Sequence, residues 1–480
     1  MTDILIAHGA VVTMDAERRI IEDGALAIRG GRIVAVDRFD ALAAGGRYQT
    51  TIDARNMVVL PGLVDCHAHA GHGLVKTLGA DDGDAWYRAC EVFYTRASSE
   101  SFWAAEAALA ALERLKFGVT CGVSLFGGGD SILRTDDPVY ADRHCESVRD
   151  VGIRTFLAVG PGRPPFPRRF VQWRGASGSE REVTFEQQIA TCETIVERWH
   201  GGASGRINVC VVSPTLRDEH LAADRSPSER SALLAQAKEA RALSRRNGIL
   251  FTQDGHTRGS VSFAHDVLDI LGPDALLSHA TDLTDEEIRV IADTGTHVVH
   301  NPSAIASIRG RCPVTELLDA GASVVLGSDA TAPDRSGDMF RHMQQCMHYH
   351  RRHFRDPEVL PPGKVLEMAT IDAARALGLE SEIGSLEVGK RADVILVDLF
   401  KPHTFPFHMP LHRAMYFANG NDVDTVIVDG RILMRGREVL SVDERRVLET
   451  AQREADLALQ RSDLADLTTP RPRLWGHSHY

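Results

Sequence analysis

Between residues 58 and 384 the sequence repeats one unit: a short apolar run, then an amphipathic or polar stretch. The runs are MVVLPGLVD (57–65), VTCGVS (119–124), IRTFLAV (153–159), INVCVVS (207–213), GILFTQ (248–253), ALLSH (275–279), THVVH (296–300) and SVVLGSD (323–329). Helical stretches such as SFWAAEAALAALERLK (101–116) and SERSALLAQAKEARALSRRN (228–247) lie between them. Strand, helix, strand in repetition requires a parallel sheet covered by helices. Eight such strands predict an α/β fold closed into a (β/α)8 barrel. The rival, an open doubly wound sheet, carries a glycine-rich phosphate turn after its first strand. Here that place reads PGLVDCHAHAG, which is not GxGxxG.

Both ends of the chain have a different texture. ILIAHGAVVTM, GALAIRGG and GRIVAVD are short β-rich stretches within residues 1–57. Similar stretches return as ADVILVD (392–398) and TVIVDGRILMRG (425–436), the latter with Asp429-Gly430 as a hairpin signal. The expected organisation is a composite β-sandwich built from residues 1–57 and 385–441, wrapped around a barrel of residues 58–384. One helix, SVDERRVLETAQREADLALQRS, and an irregular tail fill 442–480. The charge of that helix is compatible with solvent or with a partner subunit.

Composition narrows the function. The chain has 480 residues, 43% hydrophobic and 25% charged, normal for a packed protein. Its 54 Lys+Arg against 66 Asp+Glu leave −12, with no concentrated basic face for nucleic acid. No apolar run reaches the roughly 20 residues that span a membrane, and the start, MTDILIAHGAVVTMD, lacks a basic leader. The eight cysteines are dispersed without a CxxC pair, the pattern of reduced thiols in the cytoplasm. The expected partner is therefore a small-molecule substrate. The 21 histidines direct the search to metal.

Several histidines and one aspartate fall where predicted strands end: His67 and His69 after the first, His279 after the sixth, His300 at the seventh, Asp329 at the eighth. In a barrel these ends meet on the catalytic face. His67-x-His69 on an extended segment projects two imidazoles to one side, a chelate suited to a borderline metal such as zinc. Alone, His279 or His300 reads as a buried core histidine. Convergence at one barrel mouth reverses that for His279, and less firmly for His300.

PGLVDCHAHAGHGLVKTLG resembles the opening metal motif of the amidohydrolase superfamily, in its cytosine deaminase/triazine hydrolase-like branch. The resemblance continues through LLSHATDLTDEEI, TGTHVVHNPSAIASIRGRCPVTELLDAGASVVLGSDA and ATIDAARALGLESEIGSLEVGKRADVILVD. It implies a distorted barrel with a composite sandwich and one divalent ion, zinc, with Fe, Co or Mn as alternatives. His67, His69 and Asp329 match metal ligands, and His279 matches the histidine that helps activate water. His300 and Ser303 fall in the stretch near the substrate, and Trp86 matches a tryptophan on a substrate-facing loop. Packing is an equal reading for Trp86. No bridging lysine matches in VCVVSPTLRDE, which favours one metal. After the fifth strand the family pattern is His-x-x-Glu, whereas this chain reads Gln253-Asp254-Gly255-His256. Gln253 then stands as the weak third ligand, with His256 as the alternative ligand and as candidate proton donor. Ser303-Ala304-Ile305-Ala306-Ser307 departs from Ser-Asn-x-x-Leu, which points to unusual specificity. RHMQQCMHYHRRHF (341–354) resembles a second metal site, but its histidine spacings favour a solvated face.

The expected enzyme is a metal-dependent hydrolase of C–N bonds other than peptide bonds, foremost an aminohydrolase of an N-heterocycle. In it Asp329 accepts a proton from water, His279 orients the hydroxide and steadies the oxyanion, and His256 protonates the leaving group or the ring nitrogen. Two alternatives stand beside it: hydrolysis of a cyclic amide, urea, C–S or C–Cl bond, and an inactive metal-binding relative. A homodimer or higher homo-oligomer is expected.

Overall fold

The computed structural model describes residues 3–42, 47–129, 132–222, 225–304, 309–329, 331–470 and 472–478. Eight parallel strands lie side by side in chain order: Leu63–Asp65, Val119–Leu125, Arg154–Val159, Ile207–Val212, Phe251–Gln253, Ala275–Ser278, His297–His300 and Ser323–Leu326. The ring closes between the last and the first: Cys66 N donates to Leu326 O (3.0 Å) and Asp329 N to His67 O (2.7 Å). Each element begins within three residues of an apolar run in the sequence, except at the first.

That first run changes sheets in its middle. Met57–Pro61 pairs antiparallel with Val394–Asp398, while Leu63–Asp65 pairs with the second barrel strand. Gly62 is the crossing point. Its N–H reaches Asp393 O (3.0 Å), and a Cβ there would stand 2.1 Å from Thr120 Oγ1. The strand exchange thus needs a residue without a side chain.

Alternation along the strands sorts the core. Val64, Cys66, Cys121, Val123, Leu125, Phe156, Ala158, Cys210, Val212, Leu276, Val299 and Val325 form one cluster, with Ala373, Ala374, Ala376, Leu377 and Ile383 closing it. The intervening residues, among them Leu157, Val209, Val211, Leu277, Val298 and Val324, join the cluster shared with the helices. This is the inside–outside period of two expected of barrel strands.

The terminal strands form a single nine-stranded sheet running through both ends of the chain. Its core draws Ile4, Ile6, Leu26 and Ile28 from the start, and Val394, Leu396 and Ile427 from the end. At the tip of the hairpin Val423–Val428/Arg431–Arg435, Asp429 (φ 54°) and Gly430 (φ 69°) both take positive φ, the geometry of a type I′ turn. Asp429 also accepts from Arg154 (2.8 Å), which grips Asp393 through two bonds (2.7 and 3.0 Å). That trio, with Arg154 and Asp393 buried, ties the barrel to the sheet.

Helix Glu444–Ser462 docks on the protein's own barrel, burying Ala451, Glu454 and Ala458 and pairing Glu444 with Lys116 of helix Glu100–Lys116 (2.6 Å). In helix Met339–Phe354, His342 and His350 are buried and only His348 and His353 face solvent, so the expected solvated histidine face is half wrong. Among the described residues no helix is long and apolar enough to cross a membrane.

Candidate metal centre

The His67–His69 segment leaves the first strand still extended and is clamped from both sides. His67 O accepts from Asp329 N, and Ala68 O from Leu125 N (2.8 Å). Asp65, fully buried, sets this register: Ser328 donates to it through N (2.8 Å) and Oγ (2.7 Å), and Arg114 through Nη2 (3.0 Å). Strands one and eight are therefore fixed to each other just below the imidazoles and the Asp329 carboxylate.

Five side chains converge there. His69 Nε2 lies 3.0 Å from Asp329 Oδ1 and 3.5 Å from Asp254 Oδ2. His67 Nε2 lies 3.5 Å from Asp254 Oδ1 and 3.7 Å from Asp329 Oδ1. His279 Nε2 lies 3.0 Å from Asp254 Oδ1 and 3.8 Å from Asp329 Oδ2. Asp329 (φ 62°) and His279 (φ 70°) both hold left-handed backbone conformations, the kind of strain that a surrounding fold sustains at functional sites.

The donor set fits a metal ion. His67 is fully buried, yet neither of its ring nitrogens has a hydrogen-bond partner. Leaving such a polar group unpaired in the interior costs about 1–3 kcal/mol. Ligands at tetrahedral bonds of about 2.1 Å stand roughly 3.4 Å from one another, and the contacts above, 3.0–3.8 Å, bracket that spacing. His69 is oriented as metal-binding histidines are, with Nδ1 on a backbone carbonyl, Gly127 O (3.0 Å). The Asn301 amide lies 3.4 Å from His279 Nδ1, and His279 Nε2 faces the carboxylates.

Charges within the cluster hold one another. Burial raises the carboxyl of Asp254, but His67, His279 and His69 outweigh it and bring the group below the ordinary range. The same opposition, with His67 and His69 prevailing over burial, lowers Asp329. Burial lowers His69, yet Asp329 and Asp254 reverse this and raise it. Two carboxylates facing shared imidazoles form a negative pocket that a cation neutralises.

The structure thus brings His67, His69, His279 and Asp329 together, as expected, and corrects the fifth strand. Gln253 turns away: its Nε2 donates to Ser213 Oγ (3.2 Å) and Pro214 O (3.0 Å), and its Oε1 meets His256 Nε2 (3.2 Å). His256 is buried against Ser260 Oγ (2.9 Å) and lies off the cavity wall. Burial, then Arg217, push its pKa down to about 3, so it is neutral at physiological pH and a poor source of protons. The strand ends at Gln253 and the chain bends, so that the next side chain, Asp254, faces the mouth.

A cavity of about 390 Å³ opens above the cluster, lined by His69, Asp254, His279 and Asp329 at its base and by His72, Trp86 and Arg335 higher up. Trp86 comes from helix Gly83–Val92, capped by Asp82. Its ring lies 5.0 Å from that of His72, which stacks on His69 at 4.7 Å and meets the Tyr94 hydroxyl (3.1 Å). His72 was not singled out from sequence, although His67-x-His69-x-x-His72 is plain to read. His300 and Ser303 are not among the described lining residues. His300 is buried edge-on against His350 (5.3 Å), and Ser303 acts through its carbonyl, which accepts from Arg335 Nε (3.2 Å). Ile305, Ala306 and Ser307 lie outside the described residues.

Residues 58–433 match the sequence pattern of the amidohydrolase family. The chain belongs to the amidohydrolase family. It is a hydrolase of that family. A 5′-deoxyadenosine deaminase of Methanosarcina mazei is 31% identical over 95% of this chain and 98% of its own. A 5-methylthioadenosine/S-adenosylhomocysteine deaminase of Desulforudis audaxviator is 33% identical over 90% and 94%. Among solved structures, an adenosine deaminase of Xanthomonas campestris with bound zinc superposes with a TM-score of 0.80 at 23% identity, covering 96% of this amidohydrolase and 99% of that chain. An atrazine chlorohydrolase of Arthrobacter aurescens with zinc gives 0.75 at 21%, covering 94% and 100%. These two share the fold.

Proposed function

We propose that this amidohydrolase is a metal-dependent aminohydrolase that releases ammonia from the adenine ring of a 5′-modified or 5′-deoxygenated adenosine. The convergence of His67, His69, His279 and two carboxylates at the base of a nucleoside-sized cavity carries this reading, since ligand pockets run about 300–1,000 Å³. Full-length relatives named for deamination of such nucleosides support it. His67, His69 and Asp329 would hold one divalent ion, as the zinc in the structural neighbours also suggests. Bound there, such an ion supplies a Lewis acid and lowers the pKa of water from about 15.7 to near 7.

The protein's own groups do the rest. Asp329 takes the proton of the attacking water on a carboxylate oxygen and returns it to the departing amine. His279 Nε2, beside both carboxylates, would donate to the oxygen of the attacking water and aim it at the ring carbon. Trp86 offers an aromatic face beside the cavity for a flat heterocycle. With no carboxylate at residue 256 to protonate a ring nitrogen, a second reading, displacement of a halide or thiol from a heterocycle, has one observation in its favour.

The deciding experiment loads the purified protein with metal and measures ammonia release from 5′-deoxyadenosine, 5′-methylthioadenosine and S-adenosylhomocysteine, with chlorinated and thiomethyl triazines alongside. Ammonia from at least one nucleoside is expected; halide or thiol release without ammonia would establish the second reading. Asp329→Asn should lower kcat/KM by about 10²–10⁴-fold, the usual worth of a positioned proton acceptor, while the far-ultraviolet circular dichroism stays unchanged. The eight cysteines, all buried and unpaired, support residence in the reducing cytoplasm. Homo-oligomerisation is part of the proposal and is read by light scattering.

A further inference from the structure

The fifth strand distinguishes this site from an imidazole-rich one. Asp254 presents both carboxylate oxygens to the cluster, Oδ1 to His279 and His67 and Oδ2 to His69, at 3.0, 3.5 and 3.5 Å. It groups with His67 and His69 as closely as Asp329 does with His67 and His279, each triad having ligand atoms within 4.8 Å of one another. Its orientation is held from behind: Ser278 Oγ donates to Oδ1 (2.6 Å), and the Asp254 backbone carbonyl accepts from Thr215 Oγ1 (2.6 Å). Gln253 has no such freedom, since both ends of its amide are engaged away from the cavity. Supported ligands of this kind are typical of metal sites, where outer hydrogen bonds aim the donor atom.

We propose that Asp254 is the fifth strand's metal ligand, and that its carboxylate shifts the site's preference away from zinc towards a harder divalent ion such as Mn²⁺ or Fe²⁺. The inference rests on the reading above that the barrel mouth holds a divalent ion, and it names what sets which ion. Carboxylate oxygen is a harder donor than imidazole nitrogen and favours manganese over zinc relative to a histidine in the same place. Two carboxylates also match the charge of a divalent cation, so that the buried cluster is neutral once it is filled.

The test uses the full chain, stripped with a chelator and titrated with Zn²⁺ and Mn²⁺ against a chromophoric indicator. Wild type should take up one ion per chain. Asp254→Asn should weaken both metals by about tenfold or more, the scale on which metal-site residues act. Asp254→His should raise the Zn²⁺:Mn²⁺ affinity ratio by about tenfold or more, and Gln253→Ala should leave both affinities within about threefold. Circular dichroism of each variant reports folding, and the histidine variant stands in if the asparagine variant misfolds. One ion per chain in wild type with unaltered affinities and ratio in both Asp254 variants overturns this inference and leaves the aminohydrolase reading standing. No ion taken up by wild type overturns both. Weakening by Gln253→Ala, with Asp254→Asn unaffected, returns the ligand to Gln253.

Discussion

Single side chains show how burial, rather than residue type, assigns roles here. His256 has the chemistry of a proton carrier, but its fully enclosed ring is held neutral and bonded to Gln253 and Ser260. Glu106 is the reverse case, a carboxyl kept protonated near neutrality. Burial pushes its pKa up from 4.5 to about 7, against the N–H groups of Gly71 and Gly73 that lower it. A folded-state pKa above the unfolded value contributes stability that is present in full below about pH 4.5 and is gone above about pH 7. Glu106→Gln removes that dependence. Between pH 5 and 8 wild type should lose up to about 3 kcal/mol relative to the variant, measured by urea denaturation at the two pH values. Parallel curves for the two proteins would refute the assignment.

At the scale of elements, local signals were legible wherever they were self-contained. Thr284-x-x-Glu287 closes a capping box at the start of helix Asp285–Thr294. Thr284→Ala should cost about 1 kcal/mol in chemical denaturation. Glu287→Ala should cost more, because the fully buried Glu287 also accepts from Val261 N (3.1 Å) of the neighbouring turn. The helix Met339–Phe354 was harder to read. His342, Cys346 and His350 recur every four residues and share the buried face, whereas His348 and His353 fall outside that stripe. Counting all the histidines together hid the period that the core selects.

The whole molecule depends on contacts far apart in sequence. Arg154 starts the third barrel strand, while Asp393 and Asp429 belong to the terminal sheet, and all three are linked in the interior. Arg154→Met would leave the buried Asp393 carboxylate without its cation, while the part-buried Asp429 keeps Arg391 (2.6 Å). A loss of about 3–5 kcal/mol is expected, as when one partner of a buried ion pair is removed, and is read as a lower midpoint in thermal and urea unfolding. A loss under about 1 kcal/mol would mean that the trio is not a joint between barrel and sheet.

Strand positions, the eightfold repeat and the hairpin at Asp429-Gly430 follow from periods and spacings that are local properties of the chain, and these place His67, His69, His279 and Asp329 at strand ends that meet once the barrel closes. The tertiary structure alone decided that Met57–Asp65 divides between two sheets at Gly62, and that Asp254 rather than Gln253 or His256 faces the cluster. Successive residues of an extended chain point to opposite faces. Where a strand ends and bends, a single residue therefore changes which side chain enters the site, and only the packing of the neighbouring strands sets that residue.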